Sequence, residues 1–199
     1  METPERRRGA SGLEVREVAG APVITGYAAV YNSETVIYGL WREQIAPGAF
    51  ADAFTASADV RALWNHDTGT VLGRTTAGTL KLMDDDRGLK YAITVNTDDP
   101  MAMSVAAKIK RGDVNGSSFG FRVIDEEVDQ EPTKKGLLPL VTIKAVELYE
   151  VSPVTFPAYE ETSVSMRRRS QFEGLAAIAK QIAIRDRIRT RIRIEQARG

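Results

Sequence analysis

One histidine, one serine and two carboxylates are the side chains whose types and spacing could do chemistry in this chain of 199 residues. The histidine is His66, in "RALWNHDTGT" (61–70), and it is the only one present. Histidine takes and gives a proton near neutral pH, so a mechanism that needs an imidazole must use His66. The serine stands in "RGDVNGSSFGF" (111–121). Drawn as a strand, Ser117, Phe119, Phe121 and Val123 share one face, and Ser118, Gly120 and Arg122 share the other. The aromatic face belongs in the core. Ser118 then points the opposite way, beside a glycine that leaves room for a close approach. Alone, such a serine is ordinarily structural filler. With a base in reach it becomes a nucleophile at neutral pH.

A third group should orient the imidazole and stabilise its protonated form, and a carboxylate does this well. "VELYEVSPVTFPAY" (146–159) offers Glu147 and Glu150 among residues that otherwise read as buried strand. Carboxylates are rarely buried without a partner. Strand parity does not choose between them: Glu147 falls on the face of Ala145, Tyr149 and Val151, and Glu150 on the face of Val146 and Leu148. The competing explanation for either is an ion pair with an Arg or Lys of the body.

Composition narrows the field. The chain has no cysteine, which removes disulfides, thiolate metal sites and a cysteine nucleophile. With a single histidine, a zinc site of the usual His/Cys kind is excluded as well, and no other metal or cofactor is called for. No Gly-x-Ser-x-Gly elbow is present. No apolar run approaches the roughly 20 residues of a membrane-spanning helix. The N-terminal "METPERRRGASG" carries charge with no hydrophobic segment after it, unlike a secretory signal. The net charge of zero hides an asymmetry: residues 12–164 hold 14 basic and 22 acidic side chains, whereas residues 165–199 hold ten basic and three acidic. An acidic body carries a basic tail.

The elements that must position these side chains read as follows. Residues 1–11 are expected to be disordered, 12–165 to form the body, and 166–199 to form a basic, helical tail. "GLEVREVAGAPVITGYAAVYN" reads as two strands about an Ala-Gly-Ala-Pro turn. "APGAFADAFTAS" (46–57) predicts a short helix with Phe50 and Phe54 on one stripe. "VRALWNH" alternates, placing Val60, Ala62, Trp64 and His66 on one strand face. Three strands follow, two of them joined by the Asp-rich turn 84–88. "DDPMAMSVAAKIKRGD" predicts a helix, capped by Asp98 or Asp99 with Pro100 in its first turn, and ended by Gly112. Strands at 115–127 and about 138–152 flank a charged loop. The pattern is mainly β with helices, an α+β arrangement that suggests a barrel or sandwich with helical additions. In the tail, Ile and Arg recur at spacings that fit an amphipathic helix, although the later part also alternates with period two.

Taken in order, "ITGYAAVYN", "EQIAPGAFADAF", "VRALWNHD", "VLGRTTAGTLKL", "DDRGLKYAITV", "IKRGDVNGSSFGFRV" and "VELYEVSPVTFPAY" resemble the pattern of the prohead proteases of tailed bacteriophages, over about residues 24–160. The resemblance implies a serine endopeptidase that cuts capsid protein or scaffold, and itself, inside the immature head in the host cytoplasm. It implies a fold related to the herpesvirus assembly proteases, a compact β-barrel ringed by helices. It places the catalytic histidine on His66, in its Asn-His-Asp context, and the nucleophile on Ser118, directly before Phe-Gly-Phe. The herpesvirus relatives complete their triad with a second histidine, which this chain lacks. An acidic residue must serve, and the family's Glu before Val-Ser falls on Glu150, with Glu147 in reserve.

On this reading the oxyanion donors are backbone N–H groups, with those around Phe119 and Gly120 as candidates. The partners are capsid protein and scaffold as substrates; self-association is compatible with the role. The tail is either a solvated helix face or a device that targets the enzyme into the assembling shell. Nucleic acid is a poorer partner, since the acidic body repels phosphates, and no membrane is implied. The rival reading is a non-enzymatic assembly protein on the same barrel with a degenerate site.

Overall fold

Residues 5–8, 12–37, 39–129, 131 and 137–156 are described by the computed structural model. The basic tail and its expected helix lie outside the described residues. Eleven strands are described: β1 (Glu5–Arg8), β2 (Glu14–Val18), β3 (Ala21–Val30), β4 (Thr35–Ile37), β5 (Trp41–Ile45), β6 (Arg61–Trp64), β7 (Asp67–Arg74), β8 (Leu80–Asp85), β9 (Gly88–Thr94), β10 (Gly116–Asp129) and β11 (Leu140–Val154). Helix α1 spans Pro100–Arg111. Residues 1–11 were expected to be disordered, and Glu5–Arg8 within them form β1.

The long antiparallel pair β10–β11 is the spine of the larger sheet, whose order is β1-β10-β11-β5-β4. The outer edge of β11 is shared by two short parallel neighbours. Residues 140–143 pair with β5, and Glu150 and Val151 pair with Arg61 and Ala62 of β6. β7 returns antiparallel on β6. The smaller sheet has the order β2-β3-β9-β8, all antiparallel.

The expected closed barrel is not what forms. The ladders of the larger sheet run out at β1, β4 and β7, and those of the smaller sheet at β2 and β8; among the described residues no ladder joins these edges. The two sheets are held instead by packing of β3 on β10 and by polar links that include the 2.8 Å hydrogen bond between the hydroxyls of Tyr91 on β9 and Ser117 on β10, and the Asn32 N–H donating to the Ile45 carbonyl of β5 at 2.9 Å.

The core follows from the apolar faces of the strands. Ile24, Leu89, Tyr91 and Ile93 come from the smaller sheet, and Phe119, Phe121, Val141 and Ile143 from the larger. Phe119 stacks on Phe121 at 4.9 Å between ring centroids and meets the edge of Phe50 at 5.6 Å, geometries that add about 1 kcal/mol each to simple burial. Helix α1 lays Ala102, Val105, Ala106 and Ile109 on this core. Its start is fixed by Asp99, whose Oδ1 accepts from the Met101 N–H at 2.8 Å. Its end is set by Gly112 in the left-handed conformation.

Two expectations change in detail. Residues 46–57 give only a single 3-10 turn at Ala51–Phe54, because Pro47 and Gly48 (φ 82°) hold the segment in a turn until residue 50. Phe50 is fully buried and Phe54 is 45% exposed, so the predicted stripe does not form. The strand through His66 stops at Trp64.

Candidate active site

Three elements converge near the end of β11. The first is the hairpin between β6 and β7. Trp64 pairs with Asp67, so Asn65 and His66 are the two loop residues, with φ of 51° and 62°. Positive φ at both central positions defines the tight turn that suits strand twist, and its usual sequence is Asn-Gly. Asn65 fits that rule. His66 occupies the position where glycine is favoured, at a cost on the order of 1–2 kcal/mol. Asn65 also ties the turn to β11: its N–H donates to the Pro153 carbonyl at 3.1 Å, and its Oδ1 accepts from the Thr155 N–H at 2.8 Å.

The second element is β11. Glu150 is buried, and one carboxylate oxygen, Oε1, lies 2.6 Å from His66 Nδ1. The other, Oε2, accepts from the Ser152 hydroxyl at 2.6 Å. A carboxylate only accepts, so Nδ1 carries the proton in this bond, and a neutral His66 presents its lone pair at Nε2. That Nε2 is buried and has no hydrogen-bond partner among the described residues. The side chains of His66 and Glu150 are 7% and 9% exposed, and at such burial a charge-assisted bond is strengthened by the low local dielectric.

The third element is β10, which pairs Ser118 with Ser152 and Gly120 with Glu150. Cross-strand partners point to one side of a sheet. Ser118, Ser152, Gly120 and Glu150 therefore share a face, opposite to that of Ser117, Phe119 and Phe121. Ser117 turns into the core to Tyr91, whose own ionisation burial pushes up, with the charge of Glu150 adding to it. Ser118 is itself 0% exposed. The room beside Gly120 is used by the carboxylate: a Cβ there would stand 2.5 Å from Glu150 Oε1.

Glu147 is not part of this group. Its Oε2 accepts from Nε and Nη2 of Arg122, at 2.9 and 2.7 Å, and from the Tyr149 hydroxyl at 2.9 Å. The Arg122 hydrogen bonds are the main reason its carboxyl is held below the usual range. Glu147 and Glu150 nevertheless lie on the same face, because Tyr149 is an extra residue in β11. Gly120 pairs with Glu150 and Phe121 with Leu148. This bulge breaks the alternation on which the parity argument depended.

Sequence reasoning did not find Ser152 or Asn65. Ser152 was legible as the residue two beyond Glu150, hence on its face. Asn65 was legible as the first half of a two-residue hairpin loop. Phe119 and Gly120 lie within the ladders that join β10 to β1 and β11, and successive N–H groups of a strand point to alternate sides. One of these two amides therefore faces β1. Among the described residues no group of three or more His, Asp or Glu side chains is placed to hold a metal ion.

Ser118 and Glu150 on the paired strands β10 and β11, with His66 on the β6–β7 turn held to Glu150, supply a hydroxyl, an imidazole and a carboxylate, the group types that a nucleophile-base-orienter hydrolase uses. Residues 11–175 match the family described as Caudovirus prohead serine protease, and the chain belongs to that family. A curated relative, the prohead protease of Enterobacteria phage HK97, is 26% identical over 145 residues, covering 72% of this chain and 59% of the relative. The chain thus spans about three-fifths of the length of that relative. No solved structure matches.

Proposed function

We propose that the chain is a serine endopeptidase of phage head maturation, cutting capsid protein or scaffold within the assembling head. Family membership supports the reaction class. The observation that carries the residue roles is the 2.6 Å bond from His66 Nδ1 to buried Glu150, which leaves Nε2 as the open base of the group.

In this reading Ser118 Oγ attacks the carbonyl carbon of a peptide bond while His66 Nε2 takes its proton. Glu150 holds the ring in the required tautomer and stabilises the imidazolium, and Ser152 holds Glu150. The tetrahedral adduct places a negative charge on the former carbonyl oxygen. Backbone N–H groups at Phe119 or Gly120 are the candidate donors, each worth about 3 kcal/mol in comparable sites. Collapse breaks the C–N bond, the imidazolium gives its proton to the leaving amine, and the acyl-serine remains. Water, deprotonated by the same nitrogen, attacks the ester and restores Ser118.

A fluorophosphonate probe followed by peptide mapping tests the assignment. The expected label is on Ser118 in the wild type and is lost in His66→Ala. A label elsewhere, or none on folded wild type, overturns it.

A further inference from the structure

We infer that Glu5–Arg8 is a built-in occupant of the peptide-binding edge of this site and must leave before a substrate strand can be cut. The inference deepens the protease reading and rests on it. Strand β1 lies antiparallel along β10, with Arg8 opposite Ser118, Arg7 opposite Phe119, Arg6 opposite Gly120 and Glu5 opposite Phe121. No other segment of the described chain is so placed: β11 takes the second edge of β10, and β1 is the outermost strand.

An extended peptide binds a sheet by adding a strand to an edge, where main-chain hydrogen bonds supply the affinity. The edge of β10 at residues 118–121 is such a place, beside the proposed nucleophile, and β1 fills it. Every second residue of β1 directs its N–H and C=O toward β10. It thereby engages the same donors and acceptors that an incoming peptide would use, including the N–H of either Phe119 or Gly120. Ser118 is fully buried, so the site as it stands is closed to a macromolecular substrate.

The occupant is suited both to stay and to leave. Three consecutive arginines, Arg6, Arg7 and Arg8, belong to a segment docked on a body whose residues 12–164 carry a net charge of −8, which favours association at low salt. A strand of four residues paired along one edge also sits at the low-stability end of a fold and opens locally. The competing ligand is therefore an extended peptide, uncharged or basic.

The test compares wild type with Arg6→Pro/Arg7→Pro in the full chain. Of two neighbouring residues one must direct its N–H at β10, so the double substitution removes a ladder bond whichever it is. Hydrogen exchange reads the β10 amides that point away from β11, fluorophosphonate labelling reads access to Ser118, and a synthetic peptide of residues 2–10, ETPERRRGA, is added in trans. If β1 fills the edge about nine-tenths of the time, labelling and cleavage in the variant rise about tenfold, those amides exchange faster, and the peptide slows the variant again. Equal or slower labelling in a variant with accelerated exchange overturns the inference and leaves the protease reading standing. Unchanged exchange overturns it too, because β1 is then not on β10 in solution. Absence of labelling in both folded proteins removes the protease reading itself.

Discussion

His66 and Glu150 meet at 2.6 Å although 84 positions separate them in the chain, and the contact exists because β6 runs parallel to β11 with Arg61 beside Glu150. From Arg61 the strand runs on to Trp64, past the carboxylate, and the Asn65–His66 turn folds the imidazole back onto it. The carboxylate is fixed from the other side by Ser152. In the proposed mechanism this pair sets the tautomer of the base.

Glu150→Gln keeps the shape but loses the charge, and its amide can offer an N–H to Nδ1, forcing the ring proton to Nε2. We expect kcat/KM to fall by roughly 10²–10⁴. Glu147→Gln, which removes the charge paired with Arg122 and bonded by the Tyr149 hydroxyl, stays within about threefold of wild type. Steady-state cleavage of a capsid-protein peptide by the two variants checks the contrast, and equal losses would contradict it.

Gly120→Ala puts a methyl group where the Glu150 carboxylate lies. The atom it meets is the end of a side chain, so the fold yields easily, but that end is the one held by His66. The expected outcome is a chain that still unfolds cooperatively while kcat falls by about 100-fold, the usual effect of displacing a reacting group by an ångström. Thermal unfolding and kinetics on the same preparation separate the two.

Asn65→Ala removes the acceptor for the Thr155 N–H and a residue that tolerates positive φ. The expected loss of stability is about 1–3 kcal/mol by urea denaturation. Asn65→Gly retains the turn and loses less, so the difference between the variants measures the backbone contribution.

Asp59 lies outside the site and clamps the start of β6 to the end of β7. Its carboxylate accepts from Arg74 Nε and Nη2 at 2.7 and 2.6 Å. The Arg74 hydrogen bonds are the first cause that holds its ionisation well below the usual carboxylate range, with Thr76 and Arg61 adding to them. A carboxyl whose folded pKa is depressed contributes stability above its unfolded pKa, about 4, and loses it as pH falls through the folded value. Wild type should therefore exceed Asp59→Asn in denaturant midpoint at pH 7. The gap should close progressively below about pH 4 and shrink in high salt, since the pair is exposed.

The sequence carried the element types well and their endings less well. The aromatic face of β10 was legible because Phe119 and Phe121 alternate with Ser118 and Gly120, and a strand has only two faces. The capping of α1 was legible in Asp99, Pro100 and Gly112, whose roles are local. Three features were not. That Glu147 and Glu150 share a face depended on a bulge at Tyr149, which no local residue signals, and only the pairing of β6 with β11 brings His66 to Glu150. The end of β6 at Trp64 depended on a hairpin turn whose second position holds histidine instead of the expected glycine. Barrel closure depended on strand edges, and periodicity says which face of a strand is buried but not which edge finds a neighbour. The strand at Glu5–Arg8 was hidden for a further reason: a run of three arginines has the composition of a solvated tail, and only pairing with β10 orders it.

The most direct test of the central claim is intact-mass analysis over time of the purified chain with its capsid protein, for wild type, Ser118→Ala and His66→Ala. The account predicts discrete cuts in the wild-type mixture that are absent from both variants. The same cuts in either variant, or identical intact masses in all three with every chain folded, would contradict it.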